Sequence, residues 1–258
     1  MKQKNLDSKT FNKYSLDDIP IAVRTHIDDR RRQKRSYFSF SRAKLLGLLL
    51  ILSLGFAVIS YLRVLMPSSP VSGLNARLSS DGRLLGHFPY PEADPKRMVA
   101  VAPGLLLLPD AARSFLEMEL AAASEGIKLI PISAFRPISL QNDLFFNVKA
   151  DRNQSSIERA QVSAPPGFSE HSTGYAIDIG DHSQPQTNLS PGFVHTRAYQ
   201  WLRKNAARYQ FMLSFPENNP QSVNFEPWHW RYEGNTESLR LFEPAQRLVH
   251  NTRSHQQR

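Results

Sequence analysis

The chain has 258 residues, no cysteine and a formal net charge of +9. Without cysteine there can be no disulfide, no thiolate metal ligand and no cysteine nucleophile. The charge belongs to one end: residues 1–66 carry 13 Lys/Arg against 5 Asp/Glu, whereas residues 67–258 carry 19 against 18. The C-terminal part is therefore nearly neutral and has no basic stripe with interleaved aromatics, which argues against a nucleic-acid partner.

Residues 1–44 are polar and charged, with a basic cluster at Arg30-Arg31-Arg32-Gln33-Lys34-Arg35. Such a segment buries too little apolar surface to fold alone, and a disordered cytoplasmic tail is expected. Leu45 to Leu62 then runs without a charge, rich in Leu, Ile, Val and Phe. With the residues to Met66 it is long enough to cross roughly 30 Å of hydrocarbon as a helix. A buried core helix is the alternative, but the run is apolar round its whole circumference. A cleaved signal peptide is the other, but forty residues precede the run and no A-x-A-like site follows it. The basic N-terminal flank predicts a single-pass anchor over 45–66, N-terminus inside and the remaining chain outside.

Met66-Pro67-Ser68-Ser69-Pro70 reads as a linker, and 67–104 as irregular wrapping with one short strand. A domain is expected over 105–245, followed by a polar tail, 246–258. In that domain Asp110 is a candidate cap for a helix whose inward positions are Ala112, Phe115, Leu116, Leu120 and Ala123, and Gly126 closes it. Ile127–Ser133 reads as a strand, placed at an edge or end by Pro131. A helix follows over Ser139–Asp151, inward at Leu140, Leu144, Phe145 and Val148, with a possible helical continuation at Ser155–Ser163. Strands are expected at Tyr175–Ile179, Phe211–Phe215 and Trp228–Tyr232, a helix at His195–Tyr209, and another from Thr236. Without a regular βαβ alternation the expected class is α+β, a small antiparallel sheet flanked by helices and preceded by one transmembrane helix.

Two segments carry the chemistry. In the first, Ser169 to Asp178, His171 and Asp178 are seven apart around Gly174, whose freedom of backbone permits a tight turn between them. In the second, Glu226 stands three residues before His229, and strand alternation in Trp228-His229-Trp230 puts both indoles on the face opposite the imidazole. A catalytic zinc takes three protein ligands and keeps one position for water; hydrolysis of a peptide also needs a carboxylate beside that water. Two imidazoles, one carboxylate ligand and one spare carboxylate meet this need. Taken singly, each motif is more simply a hydrogen-bonded pair or core packing. Asp181, after Gly180, is a rival ligand to Asp178, though it suits a turn better.

The patterns Ser169-x-His171-x-x-Gly174-x-Ala176-x-Asp178 and Glu226-x-x-His229 resemble the VanY-type D-alanyl-D-alanine carboxypeptidases, within the wider zinc DD-peptidase and hedgehog-like group. The resemblance covers about residues 105–240. It implies Zn²⁺ bound by His171, Asp178 and His229, with Glu226 as general base. It also implies that Arg136 and Gln141 face the substrate, peptidoglycan stem peptides, from a strand-to-helix junction. A guanidinium there suits a developing oxyanion or a terminal carboxylate. The family's hydroxyl-bearing neighbours are replaced by Phe135 and Pro137, which leaves the fine substrate preference open. Ser169 is expected either to contact substrate or to cap the turn presenting His171. An L,D-carboxypeptidase, an endopeptidase and a non-catalytic zinc-containing binding module are the rival functions. The expected location is the bacterial plasma membrane with the catalytic domain extracytoplasmic.

Overall fold

The computed structural model describes residues 42–65 and 71–256. The chain divides into two units, Met1–Met66 and Pro67–Arg258. In the first, α1 runs Arg42–Leu65, and Leu50, Ile51, Leu54 and Phe56 on it are exposed. The expected helix is therefore present. The expected transmembrane helix is not shown, for among the described residues no helix is long and apolar enough to cross a membrane. The expectation for the basic tail falls outside the described residues except at 42–44, which open α1.

The second unit begins with bridges linking Val71 to Ala76, Leu78 to Leu84 and Leu84 to His87. The sequence pattern predicted one strand here, but a hairpin forms, β1 (Val99–Ala102) against β2 (Leu105–Leu107). Its turn residue Gly104 has φ 75°, a value that glycine adopts without strain. The folded body thus starts before residue 105.

Helix α2 (Pro109–Ser124) follows. Proline occupies its first turn, where a missing N–H costs nothing. Asp110 is not the cap: Leu108 takes that position without a side-chain bond. Asp110 instead pairs with Arg113 and accepts from Asn235. The buried stripe is Ala111, Phe115, Met118 and Ala122, while Leu116 and Leu120 are exposed. Both sets recur at three and four, and the first is the one turned to the sheet. Gly126, at φ 71°, ends the helix as expected.

Strand β3 (Leu129–Ser133) leads into α3 (Ile138–Asp151), and α4 (Ser156–Ala160) opens on a capping box of Ser155 and Glu158. On α3 the buried side chains are Gln141 and Phe145; Leu140 is exposed. Strand β4 (Ala176–Asp181), α5 (Arg197–Asn205), β5 (Phe211–Leu213), β6 (His229–Tyr232) and α6 (Thr236–Gln256) complete the chain. The residues expected as a polar tail from 246 continue α6 to Gln256.

The main sheet has order β3-β4-β6-β5, all neighbours antiparallel. Pro131 thus sits on an edge strand, where its missing donor is tolerated. Central β4 is buried at every residue. Phe115 and Met118 of α2, Ile177 and Ile179 of β4, Leu202 of α5 and Phe242 of α6 share one core. Each such fully buried side chain contributes about 1.5–3 kcal/mol. The α+β class with a small antiparallel sheet holds.

Candidate metal centre

The centre of the sheet determines the site. Asp178 on β4 and His229 on β6 are direct cross-strand partners, so their side chains emerge on one face. His171 arrives from a single-turn 3₁₀ helix, Glu170–Thr173, that ends at Gly174 in a left-handed conformation, φ 71°. A Cβ on Gly174 would stand 2.9 Å from Met98 Cε and 3.2 Å from Leu108 Cγ. Glycine is therefore required twice, by backbone angle and by space. Leu108 N donates to Gly174 O at 3.0 Å, which ties the turn to the start of α2.

One donor atom from each of His171, Asp178 and His229 lies within 4.8 Å of the others, and all three residues are buried. His171 Nδ1 lies 2.7 Å from Ala134 O. A carbonyl only accepts, so Nδ1 carries the proton and the lone pair is on Nε2, which faces Asp178 Oδ2 at 3.3 Å. His229 Nε2 lies 3.0 Å from Glu170 Oε2, and its Nδ1 lies 3.0 Å from Asp178 Oδ1. With Nε2–H donated to Glu170, Nδ1 also turns a lone pair inward. Two imidazole lone pairs and a carboxylate aimed at one point form a cation site. The two-nitrogen, one-oxygen donor set suits zinc.

The electrostatics agree. Burial lowers the His171 pKa, keeping it neutral. Burial alone would raise Asp178, but the neighbouring imidazoles hold its carboxyl well below the usual range. For His229, burial is outweighed by hydrogen bonds to Asp178 and Glu170 and by their charges, and its pKa rises to about 10. Without a cation His229 therefore retains a second proton, which a metal must displace.

Glu226 stands beside the donors without joining them, Oε2 4.0 Å from His229 Nδ1. Its backbone N donates to Phe215 O, and its carbonyl accepts from His229 N, so the turn through Pro227 is fixed at both ends. Burial raises its carboxyl to about 8, opposed by the charges of His229 and Arg136. Arg136 lies on the β3–α3 junction, with Nη1 donating to Gln141 Oε1 and Nη2 to Ser133 Oγ, each at 2.9 Å. Together with Ser169, Glu226 and Trp228 it lines a cavity of ≈ 460 Å³ that opens on the donors.

Three sequence expectations need adjusting. Gln141 does not line the cavity: it is fully buried, its amide donates to Ala164 O and Ser163 Oγ, and its oxygen holds Arg136. It positions the arginine instead of meeting a ligand. Ser169 lines the cavity and makes no side-chain cap, so the capping role expected as one of its two alternatives is absent. Trp228 precedes β6 and lines the cavity beside His229, whereas Trp230 is in the core; strand alternation does not reach back to residue 228. Asp181 accepts from Ser183 N at 2.7 Å as a turn residue and is outside the donor cluster.

Sequence reasoning missed Glu170. Its carboxylate is buried between His229, Arg231 Nη1 at 3.0 Å and Ser214 Oγ at 2.5 Å. Burial would raise it, but the Arg231 charge and the His229 hydrogen bond bring it down to about 2. The signal was available: Arg231 is two residues beyond His229 on one strand, hence on the same face, and Glu170 adjoins His171.

The comparisons with known proteins agree with this geometry. The chain is 28% identical over 131 residues to a D-alanyl-D-alanine carboxypeptidase of Enterococcus faecalis, an alignment covering 47% of this chain and 46% of that protein. It is 38% identical over 77 residues to the bifunctional D-Ala-D-Ala dipeptidase and D-Ala-D-Ala carboxypeptidase VanXYC of Enterococcus gallinarum, covering 29% of this chain and 40% of that one. The chain thus spans less than half the length of these curated relatives. The vancomycin resistance D,D-dipeptidase VanXYg, solved with a D-Ala-D-Ala phosphinate analog, shares the fold with a TM-score of 0.51 at 24% identity, over 63% of this chain and 66% of that one. The model of the family described as VanY, D-alanyl-D-alanine carboxypeptidase, matches residues 104–235, from the β1–β2 turn through Glu226 and His229 and over half the chain, and the chain belongs to that family.

Proposed function

We propose that this protein is a zinc D-alanyl-D-alanine carboxypeptidase that removes the C-terminal D-alanine from peptidoglycan stem peptides. The observation that carries the reading is the convergence of His171, Asp178 and His229 with a carboxylate, Glu226, that is adjacent but not a donor. A purely structural metal site has no use for such a carboxylate. His171 Nε2, Asp178 and His229 Nδ1 would hold the ion. When bound, zinc supplies Lewis acidity that brings a coordinated water to a pKa of about 7.

Glu226 takes a proton from the water as its oxygen bonds to the scissile carbonyl carbon. It then passes that proton to the amine nitrogen as the C–N bond breaks. Its burial disfavours the charged form, which makes it the stronger base for taking that proton. Arg136, held by Gln141 and Ser133, presents a fixed guanidinium to the negative charge of the substrate. Trp228 and Phe225 on the cavity wall exclude water and strengthen these interactions.

The test is D-alanine release from stem pentapeptides by the purified protein, with zinc measured per chain. A zinc-loaded protein that releases D-alanine, and loses this on chelation, supports the reading. Release of an internal fragment or of an L,D-linked residue in its place would reassign the bond.

The same reading places the catalytic unit outside a bacterial plasma membrane, anchored through α1. Its support is the uncharged sequence of Leu45–Leu62 and the basic residues before it. Alkaline carbonate extraction of membranes checks it: an anchored chain stays in the pellet, and release to the supernatant rejects the anchor.

A further inference from the structure

The cleft extends beyond the metal donors. Among its lining residues are two more arginines, Arg152 and Arg159. Arg136 feels the charges of Asp178 and Glu226 and so belongs to the donor end. The charge acting on Arg159 is a second cation, Arg152. Among the described residues neither of the pair forms an ion pair with a carboxylate. Arg159 is 8% exposed; Nη2 donates to Leu144 O at 3.0 Å, while Nε is buried without a partner. A buried guanidinium with an unfilled donor, beside a like charge, costs free energy unless an anion completes it.

The corner that carries the pair is built to hold it there. Arg152 caps the C-terminus of α3, its N donating to Val148 O. The capping box locks the first turn of α4, and the Glu158 carboxylate is engaged by Ser155 N at 2.7 Å, so the acid adjacent to Arg159 is committed elsewhere. The loop after α4 is tied by Ser163 Oγ and Ala164 O to Gln141, and through it to Arg136. The arginine pair and the donor end are therefore held in one frame. The three carboxylates that line the cavity, Glu170, Asp178 and Glu226, all cluster around His229.

We infer that Arg152 and Arg159 form a second anion subsite of the cleft, which takes a free carboxylate of the peptide substrate lying away from the scissile bond. The subsite selects a peptide that carries an acidic residue in its acid form, upstream of the terminal D-alanine, over the same peptide with that residue amidated. A planar guanidinium engages a carboxylate through parallel hydrogen bonds and gains little from a neutral amide. The inference rests on the reading of the cleft as a peptide-binding site.

The test uses two fluorescently labelled pentapeptides ending in D-alanyl-D-alanine, identical except for acid or carboxamide at the acidic residue. Their affinities for the full chain are measured by anisotropy with chelator present, so that nothing turns over. The acid form is expected to bind about tenfold tighter or more, with the difference shrinking as salt rises. Arg152→Ala and Arg159→Gln should each bring the two affinities to within about twofold. Arg152 is exposed, so its variant decides the matter if the Arg159 variant does not fold. Equal affinities in wild type, no binding of either peptide, or a preference untouched in Arg152→Ala would overturn the subsite. Zinc-loaded release assays on both peptides separate the two readings. D-Alanine release without acid preference sinks the subsite alone, whereas acid preference without release sinks the carboxypeptidase and leaves the subsite standing.

Discussion

His229 is held from both sides, by Asp178 at Nδ1 and by Glu170 at Nε2, and Glu170 is in turn clamped by Arg231. Such a carboxylate–imidazole pair fixes the tautomer that offers Nδ1 to a cation. Glu170→Gln keeps the shape but removes the charge. It should weaken zinc binding roughly 10–100-fold, as loss of a ligand-orienting partner commonly does. It also leaves the buried Arg231 guanidinium with one carboxylate, Glu233, and should lower stability. Competition with a zinc chelator and thermal melts check both; unchanged affinity would show that Glu170 is only structural.

A second prediction at this scale concerns protons. The metal-free His229 is raised to about 10 and Glu226 to about 8, so at pH 7 both keep protons that a bound dication expels. Zinc titration at pH 7 in buffers of differing ionisation enthalpy should show roughly one to two protons released. The sign is fixed: release should fall as pH rises through these values, because the protons are then already gone. No release at pH 7 would mean that His229 is neutral before metal arrives.

Among the elements, the 3₁₀ turn at Glu170–Thr173 places the candidate donor His171 beside Glu170, the carboxylate that holds His229. It depends on Gly174. Gly174→Ala incurs about 1–2 kcal/mol from the left-handed backbone and collides with Met98 and Leu108. A lower melting temperature and weaker zinc binding should appear together; a variant as stable as wild type would contradict the account of this turn. The His-x6-Asp spacing around this glycine was legible because one turn and one strand suffice to explain it. Glu226 and His229 were legible for the same local reason. Glu170 was legible only indirectly, through its place beside His171, because its partner Arg231 is 61 residues away; the role of Gln141 was not, because its amide is held by Ala164, 23 away. On α2 the inward reading holds at Ala112 and Phe115 but fails at Leu116 and Leu120, since two stripes have equal periodicity and only the position of the sheet adds Ala111, Met118 and Ala122. The hairpin β1–β2 hid in a segment where glycine and proline suggest irregular chain, because its two strands are only four and three residues long.

Across the whole molecule, the sheet order β3-β4-β6-β5 joins the ligand-bearing strands at its centre and sets Arg136 at the end of edge strand β3. A metal held there would thus depend on the integrity of the folded unit, the sheet supplying Asp178 and His229 and the 3₁₀ turn supplying His171. Zinc at 100 times its dissociation constant should stabilise the protein by about 2.7 kcal/mol, provided the unfolded chain does not bind it. Denaturant melts with and without zinc measure this, and coincident midpoints would imply that the site does not form as described.

The central claim is that three donors hold zinc while Glu226 moves the proton, and Glu226→Ala in the full chain tests it most directly. The variant should keep stoichiometric zinc and release D-alanine from a stem pentapeptide about 10²–10⁴-fold more slowly than wild type. A variant that retains zinc and cleaves at the wild-type rate would contradict the claim, as would a wild-type protein that binds no zinc.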